Sequence, residues 1–493
     1  MSFLFDGSIG FGVLAILIVA LLFALGFEFV NGFHDTANAV ATVIYTHSLT
    51  PTQAVVWSGC WNLLGVLGST GAVAFAIVAL LPVELILHVG TSAGYAMIFA
   101  LLLSAIIWNL GTWYLGLPAS SSHTLIGSIV GVGLTNSLIN GGGFGEGVNW
   151  GKLEQTMLAL LTSPLIGFVG AAALLLLAKA LIRDPALYRA PEGKAPPPLW
   201  IRSLLVLTCT GVSFAHGSND GQKGMGLIML VLIAVVPASF ALRLDVPAEH
   251  LPQIVASSRA AEPIFQAAAG GHRVDTAQQA DQLISHYLTT GRYDADTMAS
   301  LAFKNGRIAS VLAGAKSIGE LGPSPRSRLR RDVYLVDAGI AKLTRSGAIR
   351  GADAAALERL RADMLPLTDY IPPWVKIAVA LALGLGTMVG WRRIVVTVGE
   401  KIGQSHLTYA QGASAELVTA STIGLADVIG APVSTTHILA SGIAGAMYAN
   451  HSGLQRETLR NIVLAWVLTV PAAMLLGSVL FAGSLFVVLS FAG

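Results

Sequence analysis

The segment Pro118-Ala-Ser-Ser-Ser-His123 returns 314 residues later as Pro432-Val-Ser-Thr-Thr-His437. The match extends upstream at the same offset, placing Tyr95-Ala96 over Tyr409-Ala410 and Gly116 over Gly430. A second polar segment is doubled as well. Asn31-Gly-Phe-His-Asp-Thr-Ala-Asn38 aligns with His216-Gly-Ser-Asn-Asp-Gly-Gln-Lys223, pairing Gly32 with Gly217 and Asp35 with Asp220. Asp35 precedes Ser120 by 85 residues and Asp220 precedes Ser434 by 214, a difference of 129. Residues 241–370 form a hydrophilic stretch of 130, and removing it makes the two halves congruent. Internal repetition of this kind sets the architecture before any local motif does. The chain reads as one unit written twice, with an insert in the second copy.

The unit is a membrane unit. Of 493 residues, 54% are hydrophobic and only 11% charged, with a mean hydropathy of +0.70, whereas soluble domains carry about 25% charged residues. Apolar runs long enough to cross a bilayer as helix include Phe11 to Val30, Tyr95 to Leu117, Met157 to Leu181 and Ile462 to Leu489, with others near 53–81, 203–240 and 374–391. About ten crossings are expected. Only helices and closed barrels satisfy the backbone in lipid, and continuous apolar runs exclude the alternating barrel pattern. The first run has no basic segment before it and no small-residue cleavage site after it, so it reads as a retained span and not a signal peptide.

Expected divisions are a first membrane repeat over 1–182, a loop over 183–202, the start of the second repeat over 203–240, the insert over 241–370, and the rest of the second repeat over 371–493. The insert holds 16 of the 29 Lys and Arg and 14 of the 27 Asp and Glu. It contains amphipathic helical stretches (Asp332 to Arg345, Asp353 to Met364), a Pro-Ser-Pro break at Pro323 to Pro325, and a basic cluster of Arg326, Arg328, Arg330 and Arg331. Its nearly balanced charge favours a solvated or headgroup-facing surface over nucleic-acid binding.

The positive-inside rule puts the loop with Arg183, Arg189, Lys194 and Arg202 in the cytoplasm, and the insert with it. The loops around 47–53 and 82–94 contain no Lys or Arg and fit the other side. Arg392 and Arg393, one crossing after the insert, require a broken or re-entrant helix or a different span count. Cys60 and Cys209 have no CxxC or metal-ligand spacing and read as buried free thiols.

A Ser/Thr triplet after Pro in an apolar stretch suits the tip of a helical hairpin, because Pro disfavours helix before it and is tolerated in a first turn. The helix resuming at Leu125 or Ile438 would aim backbone N–H groups and the hydroxyls of Ser120, Ser121, Ser122, Ser434, Thr435 and Thr436 at one point. Such helix N-termini bind oxyanions. The plain alternative, hydroxyls holding helices together, explains one triplet more easily than two at matched positions.

Asp35 and Asp220 are intramembrane carboxylates, which face a pathway or a partner. Each lies near a Gly that permits helix breakage or close approach and near an Asn, Asn38 or Asn219, that offers a carbonyl oxygen. Together they suit a coupling cation or a proton. Free imidazole changes charge near neutral pH, so His34, His123, His216 and His437 are candidate proton relays; His123 and His437 equally suit bracing of the hairpins. Glu28, Glu416 and Asp427 lie near apolar stretches and receive no role.

An intramembrane hydrolase needs one exposed nucleophile with its base in reach, whereas here the Ser/Thr-His unit is doubled and GxSxG is absent. Gly217 to Lys223 lacks the P-loop spacing. No enzyme is expected. Paired carboxylates with doubled broken segments favour a secondary transporter over a channel, with substrate near mid-membrane between the repeats.

At these residues the chain resembles the inorganic phosphate transporter (PiT) family, on the side of its bacterial low-affinity permeases. The resemblance rests on Gly32-Phe-His-Asp-Thr-Ala-Asn-Ala-Val40, Gly217-Ser-Asn-Asp220, Leu117-Pro-Ala-Ser-Ser-Ser-His-Thr124 and Pro432-Val-Ser-Thr-Thr-His437. It covers both membrane halves but adds little about the insert. It implies an all-helical inverted repeat with two re-entrant hairpins, a homodimer in the bacterial inner membrane, phosphate between the hairpins, and the aspartates at cation sites.

Sodium-coupled members resemble Gly-Ala-Asn-Asp-x-x-Asn in both loops. Here His34 replaces the first Asn of loop one, and Lys223 the last Asn of loop two. The expectation is proton-coupled uptake, with a neutral metal-phosphate complex as one form of substrate. Sodium coupling, or another tetrahedral oxyanion such as sulfate, is the alternative. The expected anion-binding set is the six hairpin hydroxyls with Asn219 and Lys223. The expected coupling set is Asp35, Asp220, Asn38 and His34, with no resident cofactor and no certain metal site.

Overall fold

The computed structural model describes residues 10–80, 91–141, 148–193, 195–236, 240, 242–247 and 249–492. These fold into helices, and no strand occurs among the described residues. The first half comprises α1 (Phe11–Asp35), α2 (Ala37–Tyr45), α3 (Pro51–Gly68), α4 (Ala72–Val78), α5 (Ser92–Tyr114), α6 (Ser121–Ile139) and α7 (Trp150–Leu181). The second begins with α8 (Leu199–Val235). The insert follows as α9 (His250–Ala269), α10 (Ala277–Thr290), α11 (Ala295–Ala313), α12 (Pro323–Arg345) and α13 (Gly351–Thr368). The chain then completes α14 (Pro373–Thr387), α15 (Arg392–Glu400), α16 (Tyr409–Val428), α17 (Thr435–Ala449) and α18 (Arg456–Ala492).

The matched helices α1 and α8 run antiparallel. Arg202 Nε, in the first turn of α8, donates to Ser48 O just beyond α2 at 2.8 Å. At the other end, the side chain of Glu28 lies over Gly224. Packing is reciprocal between the halves. Gly32 of α1 has no room for a Cβ against Leu383 O of α14, and Gly217 of α8 none against Asn62 O of α3. Gly65 of α3 meets the backbone of Phe214 in the same way, and Gly386 of α14 that of Phe29. Likewise α6 packs on α18, and α17 on α7. Two matched elements running in opposite directions is the relation an inverted repeat requires.

Of the two uses expected of these glycines, helix breakage and close approach, the structure shows close approach at Gly32 and Gly217. α8 runs unbroken through Gly217 and Asp220, and α1 continues into α2 with only a local break at Thr36, whose backbone stays right-handed helical. Close packing is what these glycines supply.

Six helices are long and apolar enough to span a bilayer, or up to eight if two bent pairs each count as one. One pair is α3 with α4, bent by 76°, and the other α13 with α14, bent by 73°. Six to eight is fewer than the about ten crossings expected; α16 and α17 do not pass by length or composition. Leu22, Leu161, Val169, Val467 and Leu475 point outward from α1, α7 and α18, forming the apolar surface that lipid covers.

Loop sides also change. The 47–53 loop shares an end with Arg202, so it does not lie opposite the 183–202 loop. The 183–202 loop and the insert join opposite ends of α8, and placing both in the cytoplasm fails for a helix that crosses once. Charge counting cannot see this, because it ignores which helix joins the segments. Lys194 and most of the 82–94 loop lie outside the described residues. Arg392 and Arg393 follow a true break, with Gly390 at φ +72° between α14 and the short α15. Arg393 Nη1 donates to Tyr114 O at 2.6 Å, placing a cation at the C-terminus of α5 where the helix dipole favours it. Cys209 is buried but Cys60 is exposed on α3 beside Trp57, correcting its expected burial.

The insert has its own core, including Leu301, Leu335, Val336, Ile340, Leu357 and Leu360. Its entry and exit are joined by Arg243 N donating to Leu367 O at 2.9 Å. Pro323 starts α12 and does not break it, as suits Pro in a first turn. The four arginines that follow do not form one patch: Arg328 and Arg331 are exposed, Arg330 is buried, and Arg331 pairs with Asp281 at 3.4 Å.

Lys304, 1% exposed, joins three helices of the insert through Asp281 at 2.5 Å and Asp332 at 2.8 Å. Burial raises the Asp332 carboxyl above the usual range and Lys304 only partly offsets this. Lys304→Met removes the buried cation between the two carboxylates, leaving Asp281 only Arg331 at 3.4 Å and Asp332 only Arg307 at 3.3 Å, and is expected to cost about 3 kcal/mol, the low end for a broken buried pair. A thermal unfolding scan of the full-length protein should show a lower transition for the insert; an unchanged one would refute the bridge.

Candidate functional site

The two hairpins are built alike. α5 and α16 each end in a glycine of left-handed conformation, Gly116 at φ +68° and Gly430 at φ +67°. The next residue folds back in each, Leu117 N donating to Thr112 O at 2.9 Å and Ala431 N to Ala426 O at 2.8 Å. This is the Schellman cap, which selects glycine because a Cβ is strained there. Pro118 and Pro432 follow in the turn. Ser120 Oγ then accepts from His123 N at 3.2 Å, and Ser434 Oγ from His437 N at 3.2 Å, capping α6 and α17.

The helices thus resume inside the triplets, at Ser121 and Thr435, and not at Leu125 or Ile438. A serine before a helix is a strong start signal, and it moves the helix N-terminus onto the hydroxyl cluster itself. Ser120 and Ser434 are occupied as caps. Ser122 Oγ donates across to Val433 O at 2.8 Å, so the two tips meet. His123 and His437 face each other at 4.6 Å between ring centroids, and His437 stacks on Trp466 at 4.0 Å. The contact between the tips at these histidines is through their rings, with His123 Nδ1 and His437 Nε2 in no hydrogen bond.

Where the tips meet, α1 and α8 bring their charges. Thr436 Oγ1 donates to Asp35 Oδ1 at 2.7 Å, and Ser121 Oγ to Asp35 Oδ2 at 3.2 Å. Lys223 Nζ lies 2.7 Å from Asp220 Oδ2 and donates to Ser121 Oγ at 3.2 Å. His216 Nε2 stands 3.4 Å from Asp220 Oδ2 and 3.9 Å from Asp35 Oδ2. His34 Nδ1 is 3.0 Å from Asp35 Oδ1. All of these side chains are buried. One ligand atom each from Asp35, His216 and Asp220 lies within 4.8 Å of the others, a set that could hold a cation.

Asn219 turns to the hairpin instead, Nδ2 donating to Ala431 O at 3.3 Å. Asn38 lies on α2, its side chain outside the described residues. Thr435 stands beside the tip as the first residue of α17.

The arrangement is a neutral-hydroxyl cradle with one fixed ammonium, placed against two carboxylates and two imidazoles. It has polar groups for an anion and a cation side by side. It has no strained nucleophile.

The sequence model of the phosphate transporter family matches residues 31–477, which include every group just described. The chain belongs to the phosphate transporter family. It is 43% identical over 480 residues to the low-affinity inorganic phosphate transporter PitA of Escherichia coli strain K12, covering 94% of this chain and 96% of that one. It is 40% identical to the low-affinity inorganic phosphate transporter of Buchnera aphidicola subsp. Acyrthosiphon pisum, covering 95% and 96%. A solved structure of a sodium-dependent phosphate transporter shares the fold with a TM-score of 0.52 at 20% identity, covering 95% of this chain and 98% of that one. This family and these relatives are transporters and not enzymes, and the chain is a multi-pass membrane protein.

In this member of the phosphate transporter family, polar groups outside the quoted motifs also hold the site. Thr112 Oγ1 lies 3.1 Å from His34 Nε2, and Asn62 Oδ1 lies 2.7 Å from His216 Nδ1. Asn62 Nδ2 donates in turn to Thr387 Oγ1 at 3.1 Å. Asp427 accepts from Ser218 at 2.7 Å and from Gln222. A single polar residue inside an apolar run was the available signal for Asn62 and Thr112, and their partners are 154 and 78 residues away.

Proposed function

We propose that this chain is a secondary active symporter that imports inorganic phosphate and draws on a proton gradient. One observation carries the reading: Ser121 and Thr436, at the N-termini of α6 and α17, both donate to Asp35. The hydroxyls that would receive phosphate are the ones that an ionised Asp35 holds.

A coupling mechanism follows from this sharing. An ionised carboxylate accepts several hydrogen bonds, whereas a protonated one accepts fewer and donates one. Proton binding at Asp35 would release Ser121 and Thr436 toward the anion. It would also remove like-charge repulsion, about 3 kcal/mol for two unit charges 5 Å apart at an effective dielectric of 20. Proton and phosphate then enter together because each makes room for the other. Lys223 supplies an ammonium beside both, and helix N-termini complete the cradle.

The second reading has its own support in the Asp35, His216 and Asp220 triangle, which would suit sodium or a divalent ion carried with phosphate. Asp220 Oδ1 is buried without a hydrogen-bond partner and could complete such a set. A homodimer in the bacterial inner membrane, and the division into two repeats and an insert, belong to the same proposal.

Uptake of labelled phosphate into proteoliposomes, under separately imposed proton and sodium gradients, tests it. An inward proton gradient of one pH unit alone is expected to raise accumulated phosphate up to about tenfold, the yield of one fully coupled proton. Uptake that follows sodium and ignores pH would replace the proton with sodium. Sulfate competing better than phosphate would overturn the substrate.

A further inference from the structure

Two fully buried carboxyls outside the central cluster are left over by this scheme. Glu28 of α1 is fully buried, its carboxyl oxygens facing only the amide of Asn31, one turn along the same face, with no close hydrogen bond between them. Glu416 of α16 accepts from Thr208 Oγ1 at 2.5 Å through one oxygen, while its other oxygen has only the more distant Thr42 hydroxyl beside it. A neutral carboxylic acid is tolerated in such surroundings, but an isolated carboxylate is not. Structural carboxyls would be expected to have their oxygens satisfied.

Their positions give the pattern. Glu28 and Asp35 are seven residues apart, about 10 Å of helix at 1.5 Å per residue. Glu28 lies over Gly224, next to Lys223, with Lys223, Asp220 and His216 of α8 acting on it electrostatically. Thr42 lies seven residues beyond Asp35, about 10 Å the other way, and it packs on Gly412, one turn before Glu416. Thr208, which holds Glu416, lies three turns before Asp220 on α8. Glu28 is therefore on the insert side of the central cluster, and Glu416 on the side of the 183–202 loop.

We propose that Glu28 and Glu416 are two further proton-binding sites, one on each side of Asp35 and Asp220, through which the coupling proton reaches and leaves the central cluster. Each transfer moves one proton from a carboxylic acid to a carboxylate, with water carrying it over the intervening span. On the Glu28 side the transient carboxylate is stabilised by Lys223. Other elements packed on α1 bring Lys376 of α14, whose ammonium is held by Ser69 O at 2.8 Å, and Tyr95 and Tyr114 near the two ends of α5. Around Glu416, α8 brings Cys209, α2 brings Tyr45, whose ring lies over Gly399, α17 brings His437, stacked on Trp466, and α7 brings Lys179 in its last turn.

The inference rests on the proton-coupled reading, and the test separates the two. Purified Glu28→Gln, Glu416→Gln and wild-type protein in proteoliposomes are compared for uptake driven by a pH gradient and for exchange of labelled against internal phosphate, which requires no net proton movement. Each variant is expected to lose gradient-driven uptake at least tenfold while keeping exchange within about twofold of wild type. Retained exchange also shows that the variant is folded. If wild type itself ignores the pH gradient, the coupling ion is wrong and this inference falls with it. If wild type responds and the variants respond equally, the two carboxyls carry no proton. Loss of exchange together with uptake would assign them to structure or substrate binding and overturn the inference.

Discussion

Asp220→Asn is expected to reduce gradient-driven phosphate uptake by two orders of magnitude or more in protein that remains folded. Asp220 sits in the middle of α8, within 2.7 Å of Lys223 Nζ and 3.4 Å of His216 Nε2. The amide matches the carboxylate in shape, so packing is preserved. What changes is charge. Removing one partner of a buried pair costs about 3–5 kcal/mol, because the other charge is left uncompensated. Expressed as ion affinity, that is roughly 10²- to 4 × 10³-fold.

Part of the loss could instead appear as lower stability. The same preparation should therefore be checked for helical content and a monodisperse size-exclusion profile before uptake is compared. Wild-type uptake by the folded variant would reduce Asp220 to a packing residue. The role of a helix cap is already closed to it, since α8 continues to Val235.

The hairpins were legible in the sequence because their determinants are local. Gly116, Pro118 and Ser120 each specify one backbone feature within five residues, and the second copy repeats all three at Gly430, Pro432 and Ser434. Asp35 and Asp220 stood out because lipid makes any carboxylate costly. The position of the helix start was misread by four residues at Leu125 and three at Ile438, although the caps at Ser120 and Ser434 were available as signals.

Other features depend on what a residue meets across the fold, which local pattern does not contain. Gly32 and Gly217 suit breakage or close contact equally in the sequence, and only the backbones of α14 and α3 beside them decide for contact. Glu28 and Glu416 had no readable role because their surroundings come from α8. Loop sides failed for a related reason. The 47–53 loop has no basic residue of its own, yet Arg202 docks on it from the start of α8. Antiparallel pairing of α1 and α8 brings these segments together, and it also brings Asp35 to Asp220.

Replacing Lys223 should change which ion the protein requires. The ammonium of Lys223 is 1% exposed, bonded to Asp220 and donating to Ser121. It is a covalently attached cation in a site otherwise made of carboxylates, imidazoles and hydroxyls. In Lys223→Asn the net charge of the cluster falls by one, and the amide offers an oxygen in place of three N–H donors. Asp35 and Asp220 then lack their internal counter-charge, and hard cations with oxygen ligands are the natural replacement. Without sodium, gradient-driven uptake is expected to fall at least tenfold, matching a loss of about 1.4 kcal/mol or more. Adding sodium to about 100 mM, where exposed charges are screened but buried ones little affected, is expected to restore a measurable part of it. Wild type should show no such dependence. If the variant transports at the wild-type rate without sodium, Lys223 is not the counter-charge that makes proton coupling sufficient.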